Sequence, residues 1–527
     1  MTLANGDIYT LGTGTDGKSL TLTVDTADIT VPGTGTNDVN VNGASIYVAD
    51  NSTTKALNIV GTGATSAAEA KDVNIYVGKQ ASNVAKIAGV ESGFAGDIVI
   101  DANTAATFLH GVGTGAAAES VTINVGMANM VYNHIKAANT NGSITGDAVI
   151  NVKDGADLSS GNQDILVGGI YSTSTTTIGG NTSITLGSVG GAGVKIGSAS
   201  AFCNIVAGGG GTIVGDSTIT VNAGEIFARS LIGGGSWEGT VSDSSVVING
   251  GTITLATDEA KRAIYGGSYS SGTTTGTGLV TINGGTINGN IVGGNQTTAI
   301  TSAEIEINGG TIARGNMFAV GLDSTAKAGS ALVEINGGTI ADGVVIDGQD
   351  DQITAGGTSK IAINGGNVNA DVKDFNAIAM DVDAVLNGSM TGVESIEITG
   401  ITDLKTDVAG AKTIIGSVDE VLNSASINGT TFTAFDGSEK QQIFDASTTA
   451  DTTDTDVWAS LTKNSDGSLT VAWGRSEAEV GAALNAFNTN KSSLALGESL
   501  VADASRLADS DYESFQLEDK KSKGTLA

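Results

Sequence analysis

A single cysteine, a single proline and two histidines stand among 527 residues, and each scarcity removes a class of protein. One thiol, Cys203, makes no intrachain disulfide framework, and its setting in Phe202-Cys203-Asn204-Ile205 reads as a buried, inert thiol. Two histidines and one cysteine are too few for the usual structural zinc ligand sets. Base is scarce as well: 25 Lys and Arg face 56 Asp and Glu, a formal charge of −31. That field repels phosphate backbones and anionic lipid, so nucleic acid and membrane surfaces are excluded as partners. It favours solubility and divalent cations, and it is silent on the fold. No run of 18 apolar residues occurs, and Met1-Thr2-Leu3-Ala4-Asn5-Gly6-Asp7 carries neither the basic nor the apolar region of a Sec signal. The chain is then cytoplasmic, leaves the cell by another route or is a piece of a longer one, and a composition that resembles that of exported surface proteins favours the last two.

Glycine is what abounds, at 77 residues, about twice the usual share. With a positive mean hydropathy, the chain is too apolar for a disordered glycine linker. Only 4% of residues are aromatic, so small side chains with scattered Val and Ile must build a narrow core.

Between Val246 and Val368 one phrase recurs: Ile248-Asn249-Gly250-Gly251-Thr252, then Ile282 to Thr286, Ile307 to Thr311, Ile335 to Thr339, and Ile363-Asn364-Gly365-Gly366-Asn367. Each copy follows an alternating apolar pair (Val246/Ile248, Val280/Ile282, Ile305/Ile307, Val333/Ile335, Ile361/Ile363) and precedes a second short apolar segment. This reads as strand, glycine corner, strand. The copies lie 34, 25, 28 and 28 residues apart, the period of a solenoid whose single repeat cannot bury its own apolar face. A unit of this length without helical patterning predicts three short strands per rung of a right-handed parallel β-helix. A corner repeated at every rung needs φ > 0 or an absent Cβ, with Gly309 taken as the positive-φ position. The asparagines are expected to stack about 4.8 Å apart and join in an amide ladder.

Weaker copies extend the pattern. Anchors at Val73/Ile75, Ile98/Ile100, Val121/Ile123, Ala148/Ile150, Ile184/Leu186 and Ile219/Val221, the five phrases, and Ile396/Ile398 predict about 13 rungs over residues 41–400 and a rod on the order of 60 Å long. Residues 1–40 are expected to form an N-terminal β cap, and 401–475 a C-terminal β cap or small β domain ending in an Asp466-Gly467 turn and the strand Ser468 to Trp473. The capping box Ser476-Glu477-Ala478-Glu479 opens a helical, charged tail over 476–527, striped by Val480, Leu484 and Phe487, then Leu496, Leu500, Ala504 and Leu507. Long intervals, Gly187 to Thr218, Thr254 to Gly278 and Asn367 to Glu394, predict insertions, and loops inserted at one corner line one face. Trp237, Tyr265, Tyr269 and Tyr171 are expected on such a face or as shields of the core.

Catalytic constellations are not assembled in this sequence. Gln349-Asp350-Asp351 with Asp347 resembles the paired aspartates of polygalacturonase-like hydrolases. Those enzymes also carry a Gly-His-Gly and an Arg-x-Lys downstream. Here His110 and His134 lie far upstream, and after these aspartates no Arg comes before Arg475. An acidic loop is therefore expected. Pectate lyases need an Arg or Lys base beside a calcium-binding Asp cluster, and only five Arg exist. Gly12-Thr13-Gly14-Thr15-Asp16-Gly17 matches GxGxxG but runs into β-alternating Lys18 to Val24, so no phosphate cradle is expected. Gly215-Asp216-Ser217 resembles the nucleophile loop of serine proteases, yet Thr218 replaces the next glycine and no His/Asp framework surrounds it. Calcium is the one metal left open, at Asp451, Asp454 and Asp456 among others, without the tandem nonapeptides of RTX β-rolls. No catalytic or cofactor-binding residue is assigned, and a metal site is left undetermined.

Val280-Thr281-Ile282-Asn283-Gly284-Gly285-Thr286-Ile287 and Ile291-Val292-Gly293-Gly294-Asn295 resemble the repeats of bacterial adhesin-like β-helical proteins and autotransporter passengers, over roughly residues 70–400. The resemblance implies a non-enzymatic protein on the bacterial cell surface or outside it, adhering to host or environmental glycans or proteins, or to its own copies. No membrane β-barrel pattern follows the tail and Ala527 is not aromatic, which departs from the autotransporter plan and implies a fragment or another machinery such as type I secretion. An S-layer-like lattice subunit, a polysaccharide-degrading enzyme and a phage tail-spike are the alternatives on the same fold.

Overall fold

The computed structural model describes residues 57–475 apart from 78–83, 104–105, 127–133, 161–163, 169–174, 402–409, 419–421, 433, 439–440 and 443–456, together with the upstream strands Tyr9–Thr13, Leu20–Val24, Asn37–Asn42 and Ala44–Val48. The helical tail expected over 476–527 and the Asp451, Asp454, Asp456 run lie outside the described residues. The chain divides into two compact units, Met1–Ala362 with Gly366–Asn376, and Ile363–Gly365 with Ala377–Ala527.

The first unit is a parallel β-solenoid. Its first column of strands runs in register from Leu20–Val24 through Val73–Val77, Ser120–Val125, Ser217–Val221 and Ser244–Ile248 to Lys327–Ile335, every neighbour parallel. Upstream, Leu20–Val24 also pairs antiparallel with Tyr9–Thr13, which places Gly12 and Thr13, the opening of the GxGxxG phrase, on a strand. A second column follows the glycine corners, from Asp157–Leu158 to Asn367–Val368. A third runs from Asn37–Asn42 to Val345–Asp347. Beside these three stands a fourth, a six-stranded sheet of two-residue segments from Ala117–Ala118 to Thr273–Thr274. Two residues are too few to leave an alternating apolar signature in a sequence.

Alternation makes the core. In Ser244–Ile248 the residues Ser244, Val246 and Ile248 are buried and their neighbours half-buried, as the pleat of a strand requires. Ile75, Ile100, Ile123, Ile150, Ile184 and Ile219 align on one interior line, each burial worth about 1.5–3 kcal/mol. Two residues earlier the column carries Val73, Ile98 and Val121, and from there on Ala148, Thr182, Ser217, Ser244, Gly278 and Ala303, all small. They are small because glycine turns pass close by. A Cβ on Gly278 would lie 2.6 Å from the Gly293 carbonyl oxygen, and one on Gly266 2.7 Å from the Leu279 nitrogen. This close approach explains both the glycine content and the shortage of aromatics.

The corner divides its work between its two glycines. Positive φ belongs to the second, at Gly251, Gly285, Gly310, Gly338 and Gly366, with values from +77° to +89°. The first, including Gly309, is not at positive φ, which corrects the expectation for that residue. Gly309 instead leaves room for the coil below: a Cβ there would come within 2.6 Å of the Asn283 carbonyl oxygen, and Gly250, Gly284 and Gly337 meet Asn222, Asn249 and Asn308 at 2.8, 2.7 and 2.6 Å. The asparagine ladder is present. Asn249, Asn283, Asn308 and Asn336 each donate Nδ2–H to the Oδ1 of the preceding asparagine, beginning at Asn222, at 2.8–2.9 Å. A shorter ladder joins Asn151 to Asn124 and Asn124 to the Asp101 carboxylate at 2.9 and 2.7 Å.

Two expectations about spacing change. Ile150 pairs with Ile184 and Val152 with Leu186, and Leu186 continues to Val221 and Ile248, so the four anchors from Val73/Ile75 to Ala148/Ile150 lie one alternation before those of the phrase. Both pairs of apolar residues fit the pattern, and only the hydrogen-bond register separates them. The long intervals are not single insertions either: Gly187 to Thr218 contains strands of the second, third and fourth columns at Val194–Ile196, Cys203–Val206 and Thr212–Ile213.

The second unit mixes directions. Leu386–Thr399 is parallel to Gly410–Val418 and to Ser424–Ile427, with Ile398 opposite Ile427. Val457–Lys463 and Leu469–Arg475 then form an antiparallel hairpin whose second strand also pairs antiparallel with Gly410–Val418. The expected Asp466-Gly467 turn joins them. Gly467 sits at φ +89°, and Asp466 Oδ1 accepts from the Ser468 nitrogen and hydroxyl at 3.0 and 2.7 Å.

Candidate functional site

The third column carries the chain's two histidines to one place. Val84–Val90, Ala106–Val112, His134–Ala138 and Asp164–Leu166 are successive parallel strands, and their inward residues Ile87, Leu109, Ile135 and Ile165 are buried. The opposite face then aligns Lys86, Phe108, His134 and Asp164 on one line, and Ala88, His110, Lys136 and Leu166 on the next. Lys86, Glu91, Phe108, Leu109, His110, His134, Lys136 and Asn139 line a surface cavity of about 270 Å³.

Its electrostatics are uneven. Lys86 Nζ pairs with Glu91 Oε1 at 2.8 Å. His110, only 6% exposed, places Nε2 3.3 Å from the same oxygen, near enough for attraction but off line for a hydrogen bond. The imidazole and then the Lys86 ammonium hold the Glu91 carboxyl down at about 2 against the opposing effect of burial. His134 Nδ1 lies 3.7 Å from Asp164 Oδ2 and has no hydrogen-bond partner. Burial and the Lys136 ammonium push the His134 imidazole below its ordinary range, with Asp164 acting the other way. Asp164 itself is occupied, accepting from the Asn204 nitrogen and amide at 2.9 and 3.0 Å. Lys136 touches Asn139 Oδ1 at 3.4 Å and, among the described residues, makes no ion pair. Burial lowers the Lys136 ammonium and Asp164 raises it. In a chain of charge −31 this is a half-buried cation beside two imidazoles and an exposed ring, Phe108 at 45%.

The residues singled out in the sequence fall elsewhere. Asp347 belongs to the third column too, seven strand steps beyond His134, on the order of 30 Å, so the histidines and the aspartates are not assembled together. Asp347 pairs with Lys373 at 2.7 Å. Gln349, at φ +51°, turns its side-chain oxygen inward to accept from Val320 and Gly321, which makes this stretch a structural corner. Tyr265 is fully buried, corrects its placement on a binding face, and donates its hydroxyl to the Lys261 carbonyl at 2.7 Å. Tyr269 stacks edge-on between Tyr265 and Trp237, at 5.6 and 6.1 Å, so these aromatics shield the core from the inside outward. Tyr171 lies outside the described residues. Ser217 is buried and accepts from the Thr182 hydroxyl at 2.8 Å. Burial pushes the Cys203 thiol up to about 12, as an inert thiol requires.

Among the described residues no group of three or more His, Cys, Asp or Glu is arranged to hold a metal, and no helix is long and apolar enough to cross a membrane. No protein-family model, curated protein or solved structure matches this chain.

Proposed function

We propose that this chain is a non-enzymatic bacterial protein of the adhesin-like kind, secreted or displayed on the cell surface, in which a solenoid serves as a rigid support and its side face meets glycans, proteins or copies of itself. The observation that carries the reading is the register of the stacked coils, kept by the asparagine ladder from Asn222 to Asn336. Such a body presents outward residues at fixed spacing and asks little of its partners to hold its shape. Intact cells of the organism that makes the chain, treated with an external protease, should lose solenoid epitopes before lysis. Epitopes that survive until lysis would overturn the surface assignment.

A second reading, a carbohydrate-active enzyme, is favoured by one observation only, the Glu91 and His110 pair at 3.3 Å, which is the kind of couple that general acid–base chemistry uses. Release of new reducing ends from polygalacturonate, lost in Glu91→Gln, would establish it in place of the first.

A further inference from the structure

We infer that the groove between the strands Val84–Val90 and Asp164–Leu166 is a binding site for a carboxylate-bearing sugar, of the hexuronate class. Three features converge. First, Lys136 is a half-buried cation without an ion pair among the described residues, whereas Lys86 is already satisfied by Glu91. Second, the two imidazoles beside it each already face a carboxylate, His110 Nε2 at 3.3 Å from Glu91 Oε1 and His134 Nδ1 at 3.7 Å from Asp164 Oδ2, which leaves Lys136 as the cation open to a ligand. An incoming anion at Lys136 gains a charge-assisted hydrogen bond that the described residues do not supply. Third, Phe108 stands exposed on the wall of the cavity, an apolar ring face that a bare carboxylate does not use and the C–H face of a pyranose does.

Size narrows the ligand. A volume of about 270 Å³ falls just under the ~300 Å³ lower end of drug-sized pockets, room for one ring and not for a chain. In the arrangement that fits, the carboxylate lies at Lys136, the ring lies against Phe108, and the Asn139 amide reaches a hydroxyl. The inference deepens the display reading by naming a ligand class, and binding in solution succeeds or fails wherever the chain resides.

Titration calorimetry of the full chain with glucuronate, glucose, acetate and a short poly-glutamate peptide tests it. Glucuronate should bind saturably, and glucose and acetate at least about tenfold more weakly. Lys136→Met should weaken glucuronate binding about tenfold or more, and Phe108→Ala about threefold. Both side chains face away from the core, so unchanged melting curves will confirm that the variants fold. Glucose binding as well as glucuronate, or Lys136→Met binding normally, would remove the carboxylate from the site. Acetate equalling glucuronate, or Phe108→Ala without effect, would remove the sugar. Poly-glutamate binding more tightly than glucuronate would make it an acidic-peptide site.

Discussion

The same three residues turn the chain in two different ways. In the solenoid unit Ile-Asn-Gly opens a corner between parallel columns. In the second unit Ile427-Asn428-Gly429-Thr430 opens a tight antiparallel hairpin between Ser424–Ile427 and Thr430–Phe432. The hairpin puts Asn428 at φ +46° and Gly429 at +80°, both left-handed, as two-residue hairpin turns demand. In the corner the asparagine keeps negative φ and the left-handed position moves on to the second glycine, Gly251 or Gly310. The side chains differ accordingly. Corner asparagines join a ladder, while Asn428 Nδ2 is buried without a partner. A corner thus derives its order from the coil beneath it, and a hairpin from its own backbone.

Substitution at the left-handed glycines should give the largest contrast. Gly310→Val combines strained φ with a Cβ 2.7 Å from the Gly285 carbonyl oxygen and should cost about 3 kcal/mol or more. Gly429→Val carries a similar φ of +80° but meets nothing within 4 Å, so it should cost only about 1–2 kcal/mol. Denaturant melts of the two variants measure the difference, and equal losses would mean that stacking adds nothing to the corner. Gly309→Ala follows, with normal φ but a Cβ 2.6 Å from the Asn283 carbonyl oxygen, at about 1–3 kcal/mol.

Asparagine replacement should move less. Asn283→Ala removes the donor to Asn249 Oδ1 and one of the two acceptors of Asn308 Nδ2, which keeps Glu306, and should cost about 1–2 kcal/mol, with faster hydrogen exchange in the adjacent coils. Asn428→Gly removes an unpartnered amide from a left-handed position and should stay within about 0.5 kcal/mol of the parent. The smallest effect is ionic. Glu91, lowered from 4.5 to about 2, stabilises the fold above pH 4.5, and this contribution disappears as pH falls toward 2. Because its side chain is 36% exposed, solvent screening limits Glu91→Gln to about 0.5–1 kcal/mol at neutral pH. In melts at falling pH the gap between the variant and the parent should close. The exposed Asp466 is also lowered, through the Ser468 hydroxyl and nitrogen, and Asp466→Asn should show a weaker version of the same convergence.

Much of the solenoid was legible because its strongest constraints are local. Strand alternation, the glycine corner and the stacked asparagines each follow from short-range sterics or from side chains of one type meeting themselves. The slip of one alternation at Ala148/Ile150 arose because Ile150/Val152, which lies opposite Ile184/Leu186, fits the same apolar pattern, and only long-range pairing fixes which is opposite which. The division of labour within each glycine pair was hidden for a similar reason, because the atom that excludes a Cβ at Gly309 belongs to Asn283, a coil away. The groove was the least visible feature. His110 lies opposite Lys136 and His134 opposite Phe108, a diagonal that appears only once the register is known. A reading of outward positions column by column would have found a cluster of basic residues on an acidic chain.

The ladder also has a direction. Asn222 ends on the Gly187 carbonyl at 3.0 Å, and Asn124 on the Asp101 carboxylate, acceptors that cannot donate, so every amide after them is obliged to donate backward along the chain. The side-chain dipoles therefore add head to tail, as peptide dipoles do in a helix, and each bond polarises the next, strengthening it by roughly 10–30%. The ladder is consequently a one-way structure. An amide in the middle of the series, such as Asn283, is held more firmly than the same group where the series begins.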